Sequence, residues 1–413
     1  MDKNIIKSVI LEQRKSFDQP AEIIPRRIDA EFIKTKKISV ISGIRRSGKS
    51  TLLKQIAGDF SGYYYLNFED ERLLDFNFKD LNAMYELFLE LYGEQKIFLF
   101  DEIQNIFGWE KFARRLFEDG KKIFITGSNA KLLSSELATA LSGRHLKMEL
   151  FPFSFGEFLS YHRFQFKDFY DTRERSVLAK NFNQYLEYGG FPEIVVGGSA
   201  KELKQLYQDI LIKDLIVRFR IRETKIFREI ALYLLSNISS PMSFNNVRKM
   251  VGAKSVTSVK NYVDFFEEAY LFFSLYKFDY SIKKQIINDR KVYAIDSGLA
   301  NAVAFKFSEN RGRNLENLVF LELKRRGREI FYYKGKKECD FLVRQGLKIT
   351  EAIQAALDLS NPATAEREIA GLLEAMEMFK LKTGLVIAES REEEIKIKAK
   401  TIKIVPAWKW LLS

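Results

Sequence analysis

One cysteine and two histidines are all the thiol and imidazole chemistry this chain has. A single thiol, Cys339, cannot close an internal disulfide, and His145 and His162 add too few ligands to build a zinc site. Long apolar runs are missing too: none approaches the roughly 20 residues that cross a bilayer. The N-terminus, Met1-Asp2-Lys3-Asn4-Ile5-Ile6-Lys7, carries charge throughout and does not read as a signal peptide. A reducing, cytoplasmic setting without a membrane is expected. Acid is also in deficit, since 67 Lys and Arg face 55 Asp and Glu and leave a formal net charge of +12. That excess favours a polyanionic partner, nucleic acid, over charge kept only for solubility.

Hydrophobic residues at 46% and charged residues at 30% describe a globular protein, and 413 residues exceed one ordinary core. The sharpest pattern is Ile38-Ser39-Val40-Ile41-Ser42 running into Gly43-Ile44-Arg45-Arg46-Ser47-Gly48-Lys49-Ser50-Thr51. The β-branched run predicts a strand and Leu52-Leu53-Lys54-Gln55-Ile56 a helix, so the glycines fall on a strand-to-helix turn. That is the setting of a Walker A loop. Its backbone, Gly43 to Gly48 through Ile44, Arg45, Arg46 and Ser47, is expected to cradle phosphates with its N–H groups. The helix from Lys49 adds about half a positive charge. Lys49 would reach the β- and γ-phosphates, Ser50 would ligate Mg²⁺ and Thr51 would lie near the α-phosphate.

Lys96-Ile97-Phe98-Leu99-Phe100-Asp101-Glu102 has the form of a Walker B strand. Asp101 is expected to hold the Mg²⁺ shell and Glu102 to polarise the attacking water, which together predict Mg²⁺-dependent ATP hydrolysis. Ile125-Thr126-Gly127-Ser128-Asn129 ends a further strand; Asn129 is a candidate γ-phosphate sensor, although turn chemistry alone also favours Gly-Ser-Asn. Leu141-Ser142-Gly143-Arg144 presents an arginine that, in a ring, would reach a neighbour's nucleotide as a finger.

Strand and helix alternate through residues 31–152, which predicts a parallel sheet with helices on both faces and a ligand at the strand ends. Residues 1–30 read as a short helix and a linker, and 153–222 as a helical lid interrupted by Tyr188-Gly189-Gly190-Phe191-Pro192. Residues 223–300 predict three helices and a β-hairpin, a winged helix, with Thr257, Ser258, Lys260 and Asn261 outward and Lys283, Lys284, Arg290 and Lys291 on the wing. Residues 301–413 predict a smaller α/β domain of five strands, with Arg391-Glu392-Glu393-Glu394 as a solvated turn.

The loop Gly43–Thr51, Phe100-Asp101-Glu102-Ile103-Gln104, Thr126-Gly127-Ser128, Leu141-Ser142-Gly143-Arg144, Tyr188-Gly189-Gly190-Phe191-Pro192 and Tyr293-Ala294-Ile295-Asp296-Ser297-Gly298-Leu299 together resemble one group. It is the AAA-type prokaryotic and archaeal ATPases whose C-terminal half is a domain of unknown function. The resemblance covers nearly the whole chain and implies an oligomeric ATPase with a winged helix and a restriction-endonuclease-like end domain. Against such a nuclease pattern, Glu316 and Asp340 match the helix and strand acids, but Gln354 and Ala356 stand at the acid-x-lysine. Glu351 is expected to face the other side of its strand. The end domain is therefore expected to keep the fold without cutting. DNA binding and remodelling is the first expectation for output; a nucleotide-dependent switch on a protein partner and an ATP-regulated nuclease are the alternatives.

Overall fold

The computed structural model describes residues 1–20, 22–130, 141, 143–164, 171–304 and 311–413. The chain forms two compact units, Met1–Phe151 with Glu268–Tyr270, and Pro152–Glu267 with Leu271–Ser413. Ser142 of the predicted arginine turn lies outside the described residues.

In the first unit β1 (Ile38–Ser42), β2 (Tyr64–Asn67), β3 (Ile97–Asp101), β4 (Lys122–Gly127) and β5 (His145–Glu149) form one parallel sheet in the order β2-β3-β4-β1-β5. A strand covered on both sides must be apolar at successive positions. Accordingly Phe98 and Phe100 of β3 pack into one core with Ile6, Val9, Met84, Phe88 and Phe112. Leu99 between them faces a second core with Leu52, Leu53, Ile56 and Phe124. The N-terminal segment is a helix of 16 residues, Lys3–Asp18, longer than expected, with Ile6, Val9 and Ile10 buried and Ile5 exposed. β4 lies between β1 and β3, so its end is flanked by the strands that lead into the glycine loop and the paired acids.

The second unit opens with helices Phe155–Tyr161, Thr172–Tyr188, Pro192–Val195 and Ala200–Asp209, the last running into a π-helical Ile210–Val217. Next come helix Thr224–Ser236, β6 (Ser240–Met242), helices Phe244–Val251 and Val256–Glu268, β7 (Phe272–Tyr276) and β8 (Arg290–Ala294). The strands pair antiparallel in the order β6-β8-β7. The predicted hairpin thus gains a third strand, and a short helix, Ile282–Ile287, sits between its arms. A six-stranded sheet follows, β13-β14-β12-β11-β10-β9, from β9 (Glu329–Lys334), β10 (Glu338–Gln345), β11 (Lys348–Ala356), β12 (Thr383–Ala388), β13 (Glu393–Ile397) and β14 (Lys400–Pro406). The predicted solvated turn proves to lead into an edge strand. Its Glu394, Lys396 and the half-buried Ile395 and Ile397 alternate as an edge strand with one wet face requires.

Two of the sequence motifs turn out to be halves of one interlock. Asp296 accepts from Gly190 N at 2.7 Å and from Leu299 N at 2.9 Å. A Cβ on Gly298 would stand 1.9 Å from the Tyr188 carbonyl oxygen, so the helix Ser297–Val303 meets the glycine turn only because no side chain intervenes.

Candidate functional site

The turn after β1 is built as the sequence requires. Gly48, at φ 94°, takes the left-handed conformation that starts the helix Lys49–Ala57. Arg26, buried beneath the loop, donates to Ser47 O at 3.0 Å and Phe151 O at 2.7 Å. This brace from the linker carried no motif and was missed by sequence.

Four predicted residues are brought together. Lys49 Nζ donates to Gly43 O at 3.1 Å and Ile44 O at 3.2 Å, and lies 3.2 Å from Glu102 Oε1. The Ser50 hydroxyl hydrogen-bonds the Asp101 carboxylate. Asp101 also accepts from Thr126 Oγ1, and from Tyr65 OH at 3.4 Å. Thr126 Oγ1 accepts from Glu102 N at 3.0 Å, so β4 fixes both acids at once. Glu102 Oε2 accepts from Ser128 N at 3.1 Å and from Gln104 Nε2.

Charge balance at this point is uneven. Burial, with the Glu102 charge beside it, pushes the Asp101 carboxyl up to about 6, against the bonds from Ser50 and Thr126. Burial acts on Glu102 in the same sense, but the Lys49 ammonium and the Gln104 and Ser128 bonds hold its carboxyl below the usual range. Ser47 Oγ is buried with no hydrogen-bond partner, and Lys49 is satisfied largely by main-chain carbonyls. A cavity of about 590 Å³ opens beside Ser50 and Thr51, walled by Gln13, Phe17, Tyr65 and Asn67.

The remaining predicted residues fall as follows. Arg45 pairs with Glu69 at 2.7 Å, and Arg46 takes a left-handed φ of 62° in the loop. Asn129 is buried two residues beyond β4. Arg144 is not brought to the site of its own chain. It precedes His145, which pairs with Ile38 at the start of β1, roughly 13 Å from the loop at about 3.3 Å per residue. Its guanidinium lies 3.8 Å from Glu118.

A second polar cluster stands in the other unit, in a cavity of about 750 Å³. Lys291 Nζ reaches Glu316 Oε1 at 2.8 Å, Glu338 Oε1 at 2.8 Å and Asp340 Oδ1 at 2.9 Å. Lys291 and Arg290, expected outward on a wing, are instead 1% and 9% exposed. Both lie on β8, the central strand of their sheet, which the two-strand prediction left at an edge. Burial opposes the Lys291 charge, yet Asp340 and Glu316 hold its ammonium well above the ordinary range. Burial and the Asp340 charge push the Glu316 carboxyl up to about 8. Gln354 lies in the same wall and accepts from Asp340 N at 3.2 Å. Glu351 is outside this cavity and lies 3.8 Å from Arg328, as its strand phase predicts. Among the described residues, no group of three or more His, Cys, Asp or Glu side chains is set to hold a metal ion. No described helix is long and apolar enough to cross a membrane.

The family model described as an AAA domain matches residues 35–159, and a model for a domain of unknown function (DUF8612) matches residues 179–310. An uncharacterized protein of Haemophilus influenzae is 34% identical over 80% of this chain and 84% of its own length. Among solved structures, the Aeropyrum pernix ORC1 protein in complex with DNA shares 11% identity over 68% of this chain and 94% of that one, with a TM-score of 0.30. The uncharacterized protein MJ1544 of Methanocaldococcus jannaschii is 39% identical, over all of this chain and 96% of its own. Residues 35–159 thus match the model of an AAA domain, and the chain belongs to the family of MJ1544.

Proposed function

We propose that the protein is a Mg²⁺-dependent ATPase that acts on DNA. The observation that carries the first half is the single hydrogen-bonded cluster of Lys49, Ser50, Asp101, Thr126 and Glu102 at the ends of three adjacent strands. Lys49 would leave the loop carbonyls for the β- and γ-phosphates, a move from neutral dipoles to full charges. Ser50 and Asp101 would hold Mg²⁺, which when bound offsets phosphate charge; one carboxylate and one hydroxyl suit an ion that takes its other ligands from phosphate and water. Glu102 would accept the proton of the water that attacks the γ-phosphorus, as the bond to the β-bridging oxygen breaks. Asn129 would sense the γ-phosphate.

Arg144 faces away from its own loop, so its role needs a neighbouring copy, and a nucleotide-promoted oligomer follows. Arg144→Ala should lower turnover about 10³-fold without weakening nucleotide binding. Turnover equal to wild type would remove the finger.

Residues 223–300 run helix, strand, helix, helix, strand, short helix, strand, the order of a winged helix with a helical insertion in its wing, and on this reading they contact DNA. Thr257, Lys260 and Asn261 are exposed, Ser258 is half-buried, and Lys283 and Lys284 are exposed on the segment between β7 and β8. Binding through phosphates should weaken by up to about 10³-fold between 50 and 200 mM salt in gel shifts. No binding to duplex, single-stranded or branched DNA at low salt would favour the protein-binding switch instead. We assign 1–30 as N-terminal helix and linker, 31–152 as the ATPase core, 153–222 as the lid and 301–413 as a degenerate restriction-endonuclease-like domain. Support for the last comes from Lys291, whose ammonium fills the space among Glu316, Glu338 and Asp340. Supercoiled plasmid should stay intact in Mg²⁺ and Mn²⁺; cleavage lost in Asp340→Ala would overturn that assignment.

A further inference from the structure

The ATPase reading leaves one question open at the site: what holds the attacking water besides Glu102. Three donors already point at that carboxylate, Lys49 Nζ, Ser128 N and Gln104 Nε2. An ionised carboxylate has about four lone-pair positions, and Ser128 N and Gln104 Nε2 keep two of them even when Lys49 moves to the phosphates, so Glu102 holds the attacking water by one proton. A water held by a single bond is free to rotate, and its lone pair has no fixed direction.

Gln104 supplies a second anchor. Glu102 takes a left-handed φ of 51°, and the turn Ile103–Asn105 that follows folds the Gln104 side chain back over the Glu102 carboxylate. The amide orientation is set by chemistry, because the flipped amide would put two acceptors against each other. With Nε2 committed to Glu102, Oε1 is left buried and without any hydrogen-bond partner. Buried carbonyl oxygens without a donor are uncommon in folded proteins. A water molecule beside Glu102 is small enough to supply that donor.

We infer that Gln104 is the second group on the attacking water, deepening the ATPase reading on which it rests. One proton of the water points to Glu102 and is transferred to it as oxygen attacks the γ-phosphorus and the bond to the β-bridging oxygen breaks. The other points to Gln104 Oε1 and leaves with the phosphate product. Fixing both protons aims the oxygen lone pair, a role that glutamine plays in other phosphoryl-transfer sites. The Gln104 N–H meanwhile keeps Glu102 ionised and in place.

The test is Gln104→Leu, which keeps the volume and removes both polar atoms. Turnover should fall about 100-fold, while KM for ATP and affinity for ADP alone stay within about threefold. Binding of ADP with fluoroaluminate, which imitates the transition state, should weaken about 100-fold, and thermal stability should hold. Turnover and fluoroaluminate binding within about threefold of wild type would overturn the inference. So would an equal loss of affinity for ADP alone, which marks a structural role. If wild type is active and Glu102→Gln is dead, such an outcome removes Gln104 only; a wild type that binds no nucleotide removes the ATPase reading with it.

Discussion

Among the described residues each unit buries one lysine in a polar cluster, and the two clusters differ in what surrounds the ammonium. Lys49 is met by two main-chain carbonyls and one carboxylate. Lys291 is met by three carboxylates. The side chains are equally dry, at 4% and 1% exposure. On the ATPase reading, carbonyl dipoles yield readily to a phosphate, whereas the ion pairs to Glu338 and Asp340 do not, so the first ammonium is ready to be recruited and the second is locked. Burial of a lysine is therefore no guide to its use; the charge of its neighbours decides.

The largest effect that would test this contrast is on stability. Lys291→Met leaves Glu316 and Asp340 without the cation between them, with only Lys334 still on Glu338, and losing one partner of a buried ion cluster costs about 3–5 kcal/mol. Denaturant unfolding should show that loss in Lys291→Met and under about 1 kcal/mol in Lys49→Met, since Glu102 keeps the donors Gln104 and Ser128. Equal losses would erase the distinction. Next comes turnover. Lys49→Met should lower kcat about 10²–10³-fold, the usual cost of removing one preorganised charge from a transition state, with its fold intact. A variant with near-normal turnover would show that the ammonium never leaves the loop.

The smallest effect is on pH. Glu316 ordinarily titrates near 4.5 but in the folded chain near 8. Between those values the folded state keeps a proton that the unfolded state gives up, so rising pH across that window costs stability. Glu316→Gln, which still accepts from Lys291 and Tyr293, should flatten that fall. An unchanged pH slope would mean that Glu316 is ionised in the locked cluster.

Much of this was legible in the sequence where chemistry is local. The strand-turn-helix at Ile38–Ala57 and the paired acids after Phe100 need only neighbours in the chain, and both stand where predicted. The sheet order was not legible, because the strand that slips between β1 and β3 is chosen by long-range packing. Lys291 was misplaced for the same reason: read as a wing residue, it lies on a strand whose neighbours, β6 and Glu316, come from about 50 and 25 residues away. Arg26 left no pattern, and Gln104, though it closes the motif Phe100–Gln104, carried no role there, since a brace and a water anchor each require only one side chain with the right reach. The β13 strand was hidden by its charges, which an edge strand tolerates on its wet face.

The central claim is that the cluster around Lys49 hydrolyses ATP and the cluster around Lys291 does not take part. Phosphate release by wild type, Glu102→Gln and Asp340→Asn, measured in parallel with and without DNA, tests it most directly. Steady Mg²⁺-dependent turnover is predicted for wild type and Asp340→Asn, with a drop of about 100-fold or more in Glu102→Gln that spares nucleotide binding. A wild type with no turnover under either condition, or a loss in Asp340→Asn as deep as that in Glu102→Gln, would contradict it.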